Sequence, residues 1–407
     1  MELIAGTFAK LKRYWTNKQP HENPIATLLF NAGLLCYVSA SCIALASYAK
    51  NPAIDSFVSF LKWISLGFLA IKMIYLLLSG RISLDKKSWY LVFMLGCLFV
   101  SFAAFITSGQ KDLFLSVAVM IGAYGEDYRD IAKKTFIVAL LAMGAIVLPA
   151  IIGLTEFNVM ARTTADTGER IFRYAFGFSH VNALGSLAVL EFLLFLVLRW
   201  ECFKLSDYAV WVIVALFLYY VVKTRTAPLI LIAGCSFVLL LGKRASKYLV
   251  QGILSAIFII SGIILVAAYS DHSLFLNAVN KVLSGRLSYA SYFLLEYGVT
   301  PIGQSIDFVS TVEAVKSGRA ARVLDDAYIR LLVNYGVISL LSVIGIYVQG
   351  FLKTIKLDLF GVALAITLIA LIAMSEIWAF SFVGSIVMMI ICAINTAQRH
   401  PDSAEEH

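Results

Sequence analysis

The chain has 407 residues, 60% of them hydrophobic and only 14% charged, with a mean hydropathy of +0.86. Ordinary globular domains carry about a quarter charged residues, so a soluble protein is excluded. Stretches such as 229–241 and 253–268 are apolar on all sides rather than in alternation. This excludes a transmembrane β-barrel and leaves helices to satisfy the backbone in lipid.

At about 20 residues per crossing, hydropathy predicts an all-α polytopic membrane protein of about twelve transmembrane helices, within a range of roughly 11–13. The segments fall near 26–48, 56–79, 88–108, 112–124, 134–154, 180–199, 207–222, 226–242, 247–269, 326–350, 357–374 and 377–396. The fourth is short for a full crossing, so a tilted or interrupted helix is expected there. Residues 1–25 are polar and basic and lack the apolar core of a signal peptide, so they read as a cytoplasmic tail. Residues 26–396 form one transmembrane domain, and 397–407 a second cytoplasmic tail.

The net charge of +8 would raise nucleic acid as a partner in a soluble protein. Here it is first a question of membrane side, because Lys and Arg collect on the cytoplasmic face. With the N-terminus inside, 18 of the 33 basic residues fall in inner segments, 13 fall outside, and Lys62 and Lys72 lie within the second span. Every short inner loop carries at least two, which supports both termini facing the cytoplasm. Nearly all six cysteines sit in apolar segments and none forms a CxxC or Cys/His spacing, so neither a disulfide framework nor a zinc site is expected. No repeat of 20–50 residues is visible.

Two outer segments, 155–179 and 270–325, exceed the usual connection length. In the second, 273–284 and 285–297 have apolar residues at helical spacing and Thr300-Pro301-Ile302-Gly303 supplies a turn, so short interfacial helices are expected. Three constellations lie on the outer side, the first and third in or beside these loops and the second at the outer end of the seventh or eighth span. The first runs from Arg173 to His180, Asn182 and Gly185 at the start of the sixth span. Free N–H groups there suit an anion and His180 suits proton exchange, while Asn182 or Ser179 would equally serve as a helix cap. The second is Thr224-Arg225-Thr226, with Arg225 facing a polar cavity or snorkelling to the interface. The third joins Ser284-Gly285-Arg286 to Arg322, Asp325, Asp326, Tyr328 and Arg330. It forms either an ion-pair network at a helix start or a carboxylate base beside arginines that hold an anionic leaving group. Tyr289, Tyr292 and Tyr297 offer faces for sugar rings or serve as interfacial packing. Glu191 lies inside the sixth span, where a carboxylate is either a functional group or a partner for a neighbouring hydroxyl.

The order and spacing of Arg173, Gly177, His180-Val-Asn182 and Gly185, then Thr224-Arg225-Thr226, Ser284-Gly285-Arg286 and Asp325-Asp326-Ala-Tyr328 with Leu331-Leu332 and Tyr335-Gly336, resemble the Wzy-type polysaccharide polymerases. The likeness is to those of Gram-positive capsule and exopolysaccharide systems, within the superfamily that includes the O-antigen ligases. It covers roughly residues 160–345, and the first half matches only in hydropathy. Val181 stands where the family often has Pro, and Asp326 where Asn is common. Ligases typically carry a His in the region of Asp325, which favours polymerase.

The resemblance implies a GT-C-like multi-pass enzyme of a bacterial cytoplasmic membrane, with its active site on the outer face. It would be an inverting, metal-independent glycosyltransferase without cofactor. Donor and acceptor would be oligosaccharides linked to undecaprenyl diphosphate, with flippase and chain-length-regulator proteins as candidate partners and no nucleic acid. Arg173, Arg225 and Arg286, with Arg322 and Arg330, would hold the diphosphate. Asn182, Asp326 and Tyr328 would orient sugar, and either Asp325 or His180 would be the base. The alternatives are a ligase acting on a different acceptor, or a lipid-linked oligosaccharide flippase or other transporter.

Overall fold

The computed structural model describes residues 24–80, 82, 89–163, 170–242, 244–283, 285–309, 318 and 322–396. Most of both expected tails lies outside the described residues, as do Arg81, Lys86, Lys87, Lys243, Ser284, Lys316 and Arg319. The described chain is almost entirely helical. In order come α1 (Pro24–Ile43), α2 (Pro52–Leu78), α3 (Trp89–Ser108), α4 (Asp112–Gly122) and α5 (Tyr128–Ile151). A hairpin of β1 (Val159–Thr163) and β2 (Arg170–Tyr174) follows, then α6 (Val181–Arg199), α7 (Leu205–Phe217), α8 (Thr226–Leu241) and α9 (Lys247–Ala267). The remaining helices are α10 (Leu274–Val282), α11 (Arg286–Tyr297), α12 (Ala327–Arg330), α13 (Val337–Lys356), α14 (Phe360–Ala373) and α15 (Phe382–Thr396).

Among the described residues, nine helices are long and apolar enough to cross a membrane. Three shorter apolar helices accompany them, α4, α8 and α14, of 11, 16 and 14 residues. Many apolar side chains face outward, including Leu28 (69% exposed), Phe99 (73%) and Leu141 (68%). A soluble monomer does not expose apolar surface on this scale, whereas lipid covers it at no cost.

Burial sorts the helices. The segment Val181–Cys202 is 83% buried and Ile377–Thr396 is 72% buried, against 17% for α9; α14 is buried along nearly its whole length. These three helices form the centre of the bundle, with α6 packed on α5, α8 and α14, and α15 on α4, α5 and α13. Gly185 permits the approach of α8 to α6, since a Cβ there would lie 3.1 Å from Cβ of Ala227.

The structure departs from the expected elements in two places. The segment 155–179 folds into an antiparallel hairpin that pairs Val159 with Tyr174 and Met160 with Arg173. It is tied to the end of α1 by hydrogen bonds from Ser47 N to Gly177 O (2.8 Å) and from Ser179 N to Leu45 O (2.8 Å). The expected continuous helix over 326–350 is split into α12, a wide π turn over Leu331–Tyr335, and α13. The break is at Gly336, whose φ of +91° belongs to glycine, and a Cβ there would sit 2.5 Å from N of Gly303. The loop at 300–303 is thereby locked against the start of α13, with Val337 N donating to Thr300 O at 3.0 Å. Over this end of the bundle α10 and α11 build a small apolar core around Leu287, Phe293, Ile306 and Leu324. We call it the hairpin end.

At the opposite end, Lys72 in α2 is 1% exposed and donates to the carbonyls of Gly122 (2.8 Å) and Tyr124 (2.9 Å). Its third partner is Glu126 Oε1 at 2.6 Å. All three ammonium protons are used, and the pair pins α2 to the turn between α4 and α5. Removing one member of a buried pair strands the other. Glu126→Ala is therefore expected to cost about 3–5 kcal/mol, read as a fall in the thermal midpoint of the detergent-solubilised protein. The double variant with Lys72→Met should recover much of that loss.

Candidate functional site

The hairpin end gathers residues that are remote in sequence. Strand β2 presents Arg173, whose Nε donates to the carbonyl of Lys223 at 3.2 Å and whose Nη2 reaches Asn182 Oδ1 at 3.5 Å. Lys223 has φ +59°, a left-handed turn that closes the π turn Leu218–Val222 and leads the chain into Thr224-Arg225-Thr226. His180 is the N-cap of α6, its Nδ1 accepting from the backbone N–H of Asn182 at 3.1 Å.

Arg286, at the first position of α11, meets three side chains from other parts of the chain. Its Nη1 lies 2.9 Å from Glu376 Oε1 and 3.4 Å from Thr226 Oγ1, and its Nε lies 3.3 Å from Asp325 Oδ2. Glu376 stands between α14 and the 3-10 turn Ile377–Phe380, and its Oε2 accepts from Trp378 Nε1 at 3.0 Å. Beside this group lies a small polar pocket lined by Asn182, Ser186, Thr224, Thr226, Glu376 and Trp378. Thr224 Oγ1 is buried and has no hydrogen-bond partner among the described residues.

Two titratable groups here are shifted towards their neutral forms. Burial, then the fields of Arg173 and Arg286, push the His180 imidazole down to about 4. A neutral imidazole whose Nδ1 accepts a hydrogen bond carries its proton on Nε2, so His180 is a donor in this arrangement and Nδ1 is occupied. Burial raises the Asp326 carboxyl to about 8, against the smaller opposing pull of backbone N–H groups and Arg286. Asp326 caps α12, with Oδ1 accepting from Ile329 N at 2.9 Å. Burial also raises Glu376, and Arg286 opposes that shift.

Of the residues singled out in the sequence, Arg173, His180, Asn182, Arg286 and Asp325 come together, with Asp326 directly behind Asp325. Arg225 is exposed at the N-cap of α8, one residue from Thr226. Tyr328 is a correction. Expected to orient sugar, it is 1% exposed, its hydroxyl donates to Ala370 O at 2.8 Å, and its ring packs on Phe380. Arg330 and Arg322 each contact the segment before residue 310. The guanidinium of Arg330 lies 4.8 Å from the Phe308 ring centre, and the backbone of Arg322 bridges to Val309. Tyr297 stacks on Phe293 at 5.8 Å, while Tyr289 and Tyr292 are exposed.

Glu376 was not among the candidates read from the sequence. Its signal was a carboxylate in a link of a few residues between two apolar segments, a costly placement without a cation nearby. No protein-family model, curated protein or solved structure matches the chain.

The neutral Asp326 yields a prediction. The folded state holds a proton on this carboxyl between about pH 4 and about pH 8 that the unfolded chain has lost, so the residue's contribution to stability declines as pH rises across that window. Asp326→Asn keeps the capping oxygen and cannot ionise. Thermal midpoints from pH 5 to pH 9 should fall less steeply for the variant than for the wild type; a variant with the wild-type slope would show that Asp326 ionises in the folded protein without penalty.

Proposed function

We propose that this protein is a polysaccharide polymerase that joins oligosaccharide repeat units carried on undecaprenyl diphosphate at the outer face of a bacterial cytoplasmic membrane, with a GT-C-like architecture of twelve spans and both termini inside. The observation that carries this reading is the convergence of Arg173, Arg286, His180 and Asp325 on one end of an apolar helical bundle. Arginine forks match phosphate geometry, and a cation held in a partly buried site stabilises departing negative charge far more than one in water.

The reaction is a displacement at the anomeric carbon of the donor sugar. A hydroxyl oxygen of the acceptor repeat unit forms a bond to that carbon from the face opposite the diphosphate. The carbon–oxygen bond to undecaprenyl diphosphate breaks, and its electron pair leaves with the diphosphate, inverting the configuration. Asp325 takes the hydroxyl proton. It is the better candidate of the two bases because it is 33% exposed beside Arg286, whereas His180 carries its proton on Nε2 and has committed Nδ1 to the helix cap. His180 then donates to an oxygen of the substrate. Arg286 and Arg173 hold the diphosphate, with Arg225 at the rim, and no metal ion is required.

Purified protein incubated with a defined undecaprenyl-diphosphate-linked repeat unit should produce a ladder of polymers that persists in chelator. Arg286→Ala should abolish it, and Asp325→Asn should lower turnover by about 10²–10⁴-fold. A full-rate ladder from both variants would eliminate the assigned roles.

One observation favours a transporter instead. Glu191 lies in the interior of α6, 3% exposed, and neither carboxylate oxygen has a hydrogen-bond partner among the described residues. An intramembrane carboxylate of this kind marks a transport pathway in many membrane proteins. Glu191→Gln should leave the polymer ladder unchanged if the chain is a polymerase. In proteoliposomes, loss of lipid-linked oligosaccharide translocation in that variant would favour the transporter.

A further inference from the structure

Arg286 is held from two sides by unequal partners. The Glu376 side chain is 6% exposed and both of its oxygens are engaged, one by Arg286 at 2.9 Å and one by the Trp378 indole at 3.0 Å. The hydroxyl of Thr226 lies against the same Nη1 at 3.4 Å. Asp325 meets the guanidinium through Nε at the longer distance of 3.3 Å, and its side chain is 33% exposed. Glu376 is thus the inner partner, fixed by a rigid indole at the start of the 3-10 turn. Asp325 is the outer partner, a partly exposed side chain between the buried Leu324 and Asp326. An anion arriving from the accessible side meets the edge of Arg286 that Asp325 covers.

We infer that Glu376 is a positioning residue for Arg286: it fixes the guanidinium so that an incoming lipid diphosphate displaces Asp325 rather than Glu376, and this exchange frees Asp325 to take the proton of the acceptor hydroxyl. The inference rests on the polymerase reading. No covalent bond changes at Glu376. One ion pair of Arg286 is exchanged for another when the donor binds, and the base is released only when the leaving group is in place. A free enzyme in that state keeps Asp325 tied to Arg286, which guards the donor-free site against idle proton exchange. Glu376 also subtracts from the attraction that Arg286 offers the diphosphate, because a fixed carboxylate beside the cation is a standing rival for its charge. Ground-state binding is held down while the orientation needed in the transition state is kept, the direction in which binding energy raises turnover.

The test uses the full chain in nanodiscs, with farnesyl diphosphate as a binding probe and an undecaprenyl-diphosphate-linked repeat unit as substrate. Glu376→Gln preserves shape and one acceptor oxygen while removing the charge. It should bind farnesyl diphosphate about five- to tenfold tighter, with turnover at least about tenfold lower and no rise in KM. Glu376→Asp restores the charge at a shorter reach; it should return probe affinity to near wild type and leave turnover low. A residue with only a structural role would lower binding and turnover together, in proportion to the folded fraction, and that result in both variants overturns the inference. So does unchanged probe affinity in Glu376→Gln. If the wild type itself neither binds farnesyl diphosphate nor extends the repeat unit, the polymerase reading fails first and this inference with it.

Discussion

The bonding of Arg286 to Asp325 and Glu376 is the interaction on which the hairpin end depends. It joins the start of α11, the segment entering α12 and the link between α14 and α15, and Thr226 at the start of α8 completes the ring. Removing these charges from water is expensive, and a buried pair recovers that cost only with good geometry and further hydrogen bonds. Here the second oxygen of Glu376 is satisfied by Trp378, and Asp325 stays partly in contact with solvent. The arrangement therefore gives less stability than specificity: other packings of these loops would strand a buried carboxylate or a guanidinium.

Neutralisation complements the ion pairing. His180 and Asp326 stand beside Arg286 and could each have carried charge, yet burial shifts both towards their neutral forms. Each is used as a helix cap, His180 for α6 and Asp326 for α12. A cap needs a lone pair rather than a charge, so a neutral acid performs as an amide would. The net charge near Arg286 is thereby restricted to a few groups whose partners are defined by geometry.

Much of this was legible in the chain itself. The apolar segments were visible because burial in lipid demands long hydrophobic runs, and α10 and α11 were visible because their apolar spacing is helical. The site residues Arg173, His180, Asn182, Arg286 and Asp325 stood out as polar groups at segment ends. The rest depended on pairing, which hydropathy does not report. The hairpin is defined by cross-strand register, the split after α12 by the contact of Gly336 with Gly303, and the pairing of Glu376 by a cation 90 residues earlier in the chain. Tyr328 was expected to orient sugar only through the family resemblance, yet one turn of α12 carries it into the core against Ala370.

The position of the ionised groups also follows from the frame that carries them. Helices α6, α14 and α15 are buried on nearly every face, and a charge placed along them would lack both water and a backbone donor. At their ends the conditions differ: the first N–H groups of α6 have no helical partner, so the Asn182 N–H is free to be capped by His180, and the non-helical link after α14 lets Glu376 turn towards Arg286. Charge collects where the helices stop. Glu376 and His180 stand at the ends of these closely packed central helices, so the geometry around Arg286 is set by the most buried part of the described chain. Glu191, on α6 but away from its ends, has no hydrogen-bond partner among the described residues, whereas Glu376, at a helix break, meets both a cation and an indole.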